Sequence, residues 1–142
     1  MLNRTAQAVW EGNLKEGRGT VEFGGGAFKG NYSFTSRFEN SKGTNPEELI
    51  AAAHAGCFAM AFSGMLAEAG YAPERVTATA KVSLEKVEGG FKISASHLAC
   101  TARVPGINRE KFMSIADEAK QGCPVSVLLS GIRISLDASL EH

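Results

Sequence analysis

The chain has 142 residues, enough for one domain with a core of its own, and 44% hydrophobic against 21% charged residues is the balance of a globular protein. Fifteen basic and fifteen acidic residues cancel, which excludes a global field that would attract nucleic acid or an anionic membrane and leaves little repulsion against self-association. Three cysteines do not make a secreted disulfide framework, so a cytoplasmic, reducing compartment is expected, where any disulfide would be transient and catalytic.

Met1-Leu2-Asn3-Arg4-Thr5 lacks the apolar stretch of a signal peptide. Ala6, Ala8 and Trp10 alternate with polar neighbours as a first strand, and Gly12 to Gly17 reads as a turn. Arg18 to Phe23 is a second strand, followed by the connector Gly24-Gly25-Gly26. Tyr32, Phe34, Ser36 and Phe38 alternate as a third strand, with Arg37 on its opposite face. Asn45 is then a good N-cap, Pro46 suits the first helical position, and Glu48 can complete a capping box. The helix should run to about Ala69 and stop at Gly70. Its apolar residues surround the axis, so it is expected to be buried on all sides, as the core helix of a soluble protein and not a membrane span. One chain of this size cannot cover such a helix fully, which points to a dimer.

Val76, Ala78, Ala80, Val82 and Leu84 form the cleanest alternating strand. Glu88-Gly89-Gly90 turns it into another, Phe91 to Val104, whose phase slips near His97 and suggests a bulge there. Asn108 caps a second helix with Phe112, Ile115, Ala116 and Ala119 on one face and Gly122 as its stop. Cys123-Pro124 opens a short third helix reaching Ser130, and Ile132, Ile134, Leu136 and Ala138 make the last strand. Strands and helices segregate in runs, so the class is α+β, in a single domain over residues 1–142. Leu140-Glu141-His142 resembles the start of an expression-tag scar, and His142 is assigned no role.

No phosphate loop, GxGxxG, HExxH, CxxC or zinc-ligand spacing is present, so neither a cofactor nor a metal site is expected. The candidates for chemistry are cysteines. Cys57, in an apolar helix, reads either as an inert core thiol or as a nucleophile needing a cation nearby, for which Arg37 is the best candidate. Cys123, before a Pro-started helix, is either a plain cap or a thiolate favoured by unpaired N–H groups. Cys100 reads as core filler on a strand. Glu47 can hold the Arg37 guanidinium or simply favour the helix N-terminus, and His54 is either a proton shuttle or a hydrogen-bonded helix histidine. Ten residues of straight helix put Glu47 about 15 Å from Cys57, so one site for both needs a broken helix or a second subunit.

Trp10-Glu11-Gly12, Arg37-Phe38-Glu39, the run from Lys42 through Ile50, Ala52-Ala53-His54-Ala55-Gly56-Cys57-Phe58 and Gly122-Cys123-Pro124-Val125-Ser126 together resemble the OsmC/Ohr family, and its OsmC branch in particular. The resemblance implies an OsmC-like fold, an intertwined homodimer with β-sheets packed around long central helices, and a thiol-dependent peroxidase acting on organic hydroperoxides. It maps Cys57 to the peroxidatic cysteine, Cys123 to the resolving one, Arg37 to the arginine that activates the thiolate and Glu47 to the carboxylate that orients it. In the Ohr branch the arginine comes from an earlier loop, where this chain has Lys15. The partners implied are a peroxide and a dithiol reductant: a lipoyl protein, thioredoxin or a small thiol. Phe34, Phe38, Phe58, Met60 and Met65 are candidate walls for a peroxide tail. A redox sensor without turnover and a non-catalytic stress-binding protein are the rival readings.

Overall fold

The computed structural model describes residues 1–141 and has the expected α+β architecture: β1 (Ala6–Glu11), β2 (Arg18–Phe23), β3 (Phe28–Tyr32), α1 (Phe34–Phe38), α2 (Pro46–Glu68), β4 (Arg75–Val87), β5 (Gly90–Arg103), α3 (Arg109–Gly122), α4 (Pro124–Leu128) and β6 (Arg133–Glu141). The chain forms two compact units, one over Met1–Leu49 and one beginning at Ile50. His142, read as a tag remnant, lies outside the described residues; Leu140 and Glu141 belong to β6, where the Glu141 carboxylate meets Arg75 Nη2 at 2.9 Å.

In the first unit, β1, β2 and β3 form an antiparallel meander in that order. Gly19 sits in register between Trp10 on one neighbouring strand and Tyr32 on the other. A Cβ there would lie 2.5 Å from the Tyr32 ring and 2.6 Å from that of Trp10, so the missing side chain is what lets the two rings meet at 5.3 Å. The expected third strand through Phe38 does not form. It ends at Tyr32, and Phe34–Phe38 is helix α1. The Ser33 hydroxyl accepts from Ser36 N–H at 3.1 Å, and Ser36 Oγ accepts from Ser33 N–H at 2.8 Å, a capping box that starts the helix. Phe34 and Phe38 satisfy the two-residue period of a strand and the four-residue repeat of a helix alike, and their rings pack at 4.9 Å. Arg37 therefore lies in the last turn of a helix and not on a strand face.

The second unit is built on the sheet β4-β5-β6, antiparallel between β4 and β5 and parallel between β5 and β6. The connection through α3 and α4 is the crossover that a parallel pair requires. The bulge in β5 falls at Ser94, where Ser83 faces Ala95 and Leu84 faces Ile93, and not at His97 as expected. That extra residue moves the inward face from odd to even positions, so Ser96, Leu98, Cys100 and Ala102 all point into the core. Asn108 caps α3 by accepting from Lys111 N–H at 2.8 Å, and Phe112, Ile115, Ala116 and Ala119 are its buried face, as read from the spacing.

Helix α2 starts as expected, with Asn45 Oδ1 accepting from Glu48 N–H at 2.7 Å. The Glu48 carboxylate accepts from the Thr44 hydroxyl at 2.9 Å. The helix ends in a Schellman motif, in which Gly70 at φ +94° lets Tyr71 N–H reach Leu66 O at 2.9 Å. The expectation that α2 is buried on all sides is not met within one chain. Phe58, Phe62 and Leu66 are fully buried, while Ala52, Ala53, Gly56, Met60 and Gly64 lie on an exposed apolar side. The core of the second unit covers only the stripe that faces β5 and α3, and the helix is long and apolar enough by composition to cross a membrane. Phe62 is the hub of that stripe, with ring centroids 5.5 Å from Phe58 and 5.3 Å from Phe112. Phe62→Ala is expected to lower the unfolding free energy by roughly 3–5 kcal/mol, because it removes a fully buried ring and leaves a cavity. Denaturant unfolding checks this, and a loss below about 1 kcal/mol would show that the core collapses around the gap.

Candidate active site

The first unit places Arg37 on Glu47. The Arg37 Nη2 donates to Glu47 Oε1 at 2.8 Å, and Nε lies 3.2 Å from both carboxylate oxygens. Two ties bring α1 to the start of α2. Ser36 Oγ–H donates to Thr44 O at 2.8 Å, and Asn45 Nδ2 donates to Ser36 O at 3.0 Å. Glu47 stands in the first turn of α2, where the helix favours a carboxylate, and its side chain is nine-tenths buried. The Arg37 side chain is 36% exposed, and its guanidinium carbon lies 5.2 Å from the centroid of the Phe38 ring. Glu47 occupies its Nε and Nη2 edge and leaves Nη1 without a hydrogen-bond partner among the described residues. Trp10, Leu14, Tyr32, Phe34 and Phe38 line a cavity of about 220 Å³ on the same guanidinium. This is an apolar pocket with one oriented cation in its wall.

The second unit brings Cys57 and Cys123 together although they stand sixty-six positions apart in the sequence. Cys57, on α2, is half-buried and lies close enough to the Cys123 thiol and to the Val125 N–H, in the first turn of α4, for both to shift its titration. Burial pushes the Cys57 thiol above its ordinary pKa, the neighbouring Cys123 adds to that, and the Val125 N–H pulls the other way by stabilising the thiolate. Cys123 is the N-cap of α4, with its sulfur 3.4 Å from Ser126 N and 3.1 Å from Ser126 Oγ. Pro124 at the first helical position sets that turn without an N–H to satisfy. All three cysteines carry free thiols, and Cys100 lies in the core with its pKa pushed up to about 11 by burial.

Of the four residues singled out for chemistry, Arg37 and Glu47 thus form one pair in the first unit, and Cys57 and Cys123 another in the second. Phe34 and Phe38 line the pocket at Arg37, whereas Phe58 is part of the core and Met60 is 80% exposed. Two polar residues went unread in the sequence. His54 is fully buried between the hydroxyls of Ser96, at 2.7 Å from Nδ1, and Ser126, at 2.8 Å from Nε2. Burial lowers the His54 pKa, so the imidazole is neutral at neutral pH. The signal for Ser96 was a serine in phase with Leu98, Cys100 and Ala102, legible only once the bulge is set at Ser94. Among the described residues no cluster of three or more His, Cys, Asp or Glu side chains could hold a metal ion.

Comparison with known proteins shows the family of the chain. The family model described as "OsmC-like protein" matches residues 39–137. The chain is 49% identical to the Peroxiredoxin OsmC of Escherichia coli strain K12 over 141 residues, which is 99% of this chain and 98% of that one. It is 32% identical over 99 residues to the Organic hydroperoxide resistance protein of Xanthomonas axonopodis pv. citri, covering 69% of this chain and 66% of the relative. Among solved structures, an organic hydroperoxide resistance protein from Elizabethkingia anophelis superposes with a TM-score of 0.75 at 26% identity, over 99% of both chains. The chain belongs to the OsmC-like protein family.

Proposed function

We propose that the chain is a thiol-dependent peroxidase for organic hydroperoxides that works through a transient Cys57–Cys123 disulfide. The observation that carries this reading is the proximity of these two thiols, close enough for Cys123 to raise the Cys57 pKa. The names of the relatives, a peroxiredoxin and organic hydroperoxide resistance proteins, support the substrate class. The Cys57 thiolate attacks one oxygen of ROOH in line with the O–O bond, which breaks and releases ROH, and leaves Cys57 as a sulfenic acid. The Arg37 guanidinium, held by Glu47, stabilises the thiolate and the charge developing on the departing oxygen. Cys123 then displaces the sulfenic oxygen as water, and a dithiol reductant (a lipoyl protein, thioredoxin or a small thiol) restores both thiols by exchange.

The working unit in this proposal is a homodimer. Helix α2 is unbroken from Pro46 to Glu68, so the roughly 15 Å of helix between Glu47 and Cys57 stands. A second copy that brings its own Arg37–Glu47 pair to these thiols meets that spacing, and it would cover the exposed apolar side of α2. A cytoplasmic location suits two thiols that must be reduced after each turnover.

Treatment with one equivalent of cumene hydroperoxide, followed by mass spectrometry, tests the scheme. The wild-type protein should show a 57–123 bridge with Cys100 reduced. Cys123→Ser should consume one equivalent and stop with Cys57 as a sulfenic or over-oxidised acid. Sustained turnover by that variant with the usual dithiol would remove Cys123 from the mechanism.

A further inference from the structure

A buried polar chain lies behind the two thiols. His54 sits among apolar core residues with no exposed surface, and Ser96 and Ser126, both buried, occupy its two ring nitrogens. Ser126 Oγ is at the same time 3.1 Å from Cys123 Sγ. A neutral imidazole has one N–H and one lone pair, so one of the two hydroxyls must accept from it and the other must donate to it. Two arrangements run the hydrogens in a single direction along the whole chain of contacts. In the first, Cys123 S–H donates to Ser126 Oγ, Ser126 O–H donates to His54 Nε2, and His54 Nδ1–H donates to Ser96 Oγ. In the second, every one of these hydrogens is reversed, and the Cys123 proton has no base to go to. The hydrogens are assigned here from chemistry, since only the heavy atoms fix the contacts.

We infer that the first arrangement is the working one, and that Ser126 and His54 carry the proton away from Cys123 as it closes the disulfide. Ser126 touches the reacting sulfur, while His54 and Ser96 act through it as positioning residues. The inference rests on the disulfide reading given above. A thiol must lose its proton to attack the sulfenic sulfur, because the thiolate is the nucleophile. In the closing step the S–S bond forms and the S–O bond of Cys57 breaks. The sulfenic sulfur is reduced, the Cys123 sulfur is oxidised by the same amount, and no outside oxidant is needed. The Cys123 proton passes through the Ser126 hydroxyl to Nε2, and together with the departing hydroxide it accounts for one water. Ser96 accepts from Nδ1–H in both the neutral and the protonated ring, which fixes the tautomer that leaves Nε2 free to receive. The burial that lowers the His54 pKa keeps this nitrogen unprotonated and available before the step.

The same geometry could serve packing alone, and the test separates the two roles. Rapid mixing with one equivalent of cumene hydroperoxide, quenched at intervals and read by mass spectrometry, resolves the sulfenic acid on Cys57 from the bridge that follows. In His54→Gln and in Ser126→Ala the sulfenic acid should form, and closure should slow by about 10²-fold, the low end of what a positioned base supplies. Wild-type closure should be slower in D2O, that isotope effect should vanish in both variants, and Ser126→Thr, which keeps the hydroxyl, should restore both rate and isotope effect. Closure within twofold of wild type in the two variants would overturn the relay. So would a wild-type closure step without a solvent isotope effect, a result that does not depend on any variant folding. A wild-type protein that never forms the sulfenic acid on Cys57 would instead remove the disulfide reading, and the relay with it.

Discussion

Cys57→Ser is expected to abolish hydroperoxide reduction and to leave the fold intact. A serine hydroxyl is not ionised at neutral pH and is a weak nucleophile towards a peroxide oxygen, and no sulfenic acid can form from it. Turnover should fall to the uncatalysed rate, a loss on the order of 10⁶-fold if the enhancement is at the lower end for enzymes. The exchange replaces one atom on a half-buried side chain at the edge of the core, next to fully buried Phe58. Thermal unfolding should therefore stay close to wild type. Peroxide consumption with a dithiol reductant is the measurement, and retained turnover would show that another thiol carries the reaction.

Arg37→Ala carries the second large effect, a drop in kcat/KM of about 10²–10³, the usual cost of losing one oriented donor at a developing negative charge. In the proposed mechanism the cation favours the Cys57 thiolate, against burial and Cys123, which raise the Cys57 pKa. Without the guanidinium the thiolate is less favoured, so the pH midpoint of Cys57 alkylation should move upward. The variant also strands the Glu47 carboxylate, nine-tenths buried and held by the same guanidinium. Part of the loss could therefore come from a rearranged α1, and Arg37→Lys controls for this, since it keeps the charge and loses the two-donor geometry. Its midpoint should lie between those of wild type and Arg37→Ala. An unchanged alkylation profile in Arg37→Ala would transfer the role to another cation, with Lys15 and Arg18 next to be tested.

Regular periodicity made most elements legible. The alternation from Val76 to Leu84, the α3 face of Phe112, Ile115, Ala116 and Ala119, and the caps Asn45 and Asn108 each carry a local signal that the fold does not override. The misreading at Phe34–Phe38 has an equally local cause. An aromatic pair four apart fits both periods, and the Ser33–Ser36 capping box was the deciding feature that went unused. Placing the bulge at His97 instead of Ser94 hid the polar residue that faces His54.

Cys57, Cys123, Arg37 and Glu47 stood out in the sequence through motif likeness, and residue type alone settled what each can do: two thiols can oxidise, a guanidinium can hold an anion, and a carboxylate can hold the guanidinium. Which of them meet is another matter. That Cys57 lies near Cys123, that Ser126 bridges Cys123 to His54, and that Arg37 leaves a helix end to grip Glu47 follow from packing. Apart from the local Cys123–Ser126 cap, those contacts span 10 to 72 positions of chain, where no local pattern reaches. Local sequence governs the soft dihedrals of a few neighbouring residues, whereas contacts at long separation form only where burial, in the second unit that of the Phe58–Phe62–Phe112 core, offsets the entropy of closing the loops between them.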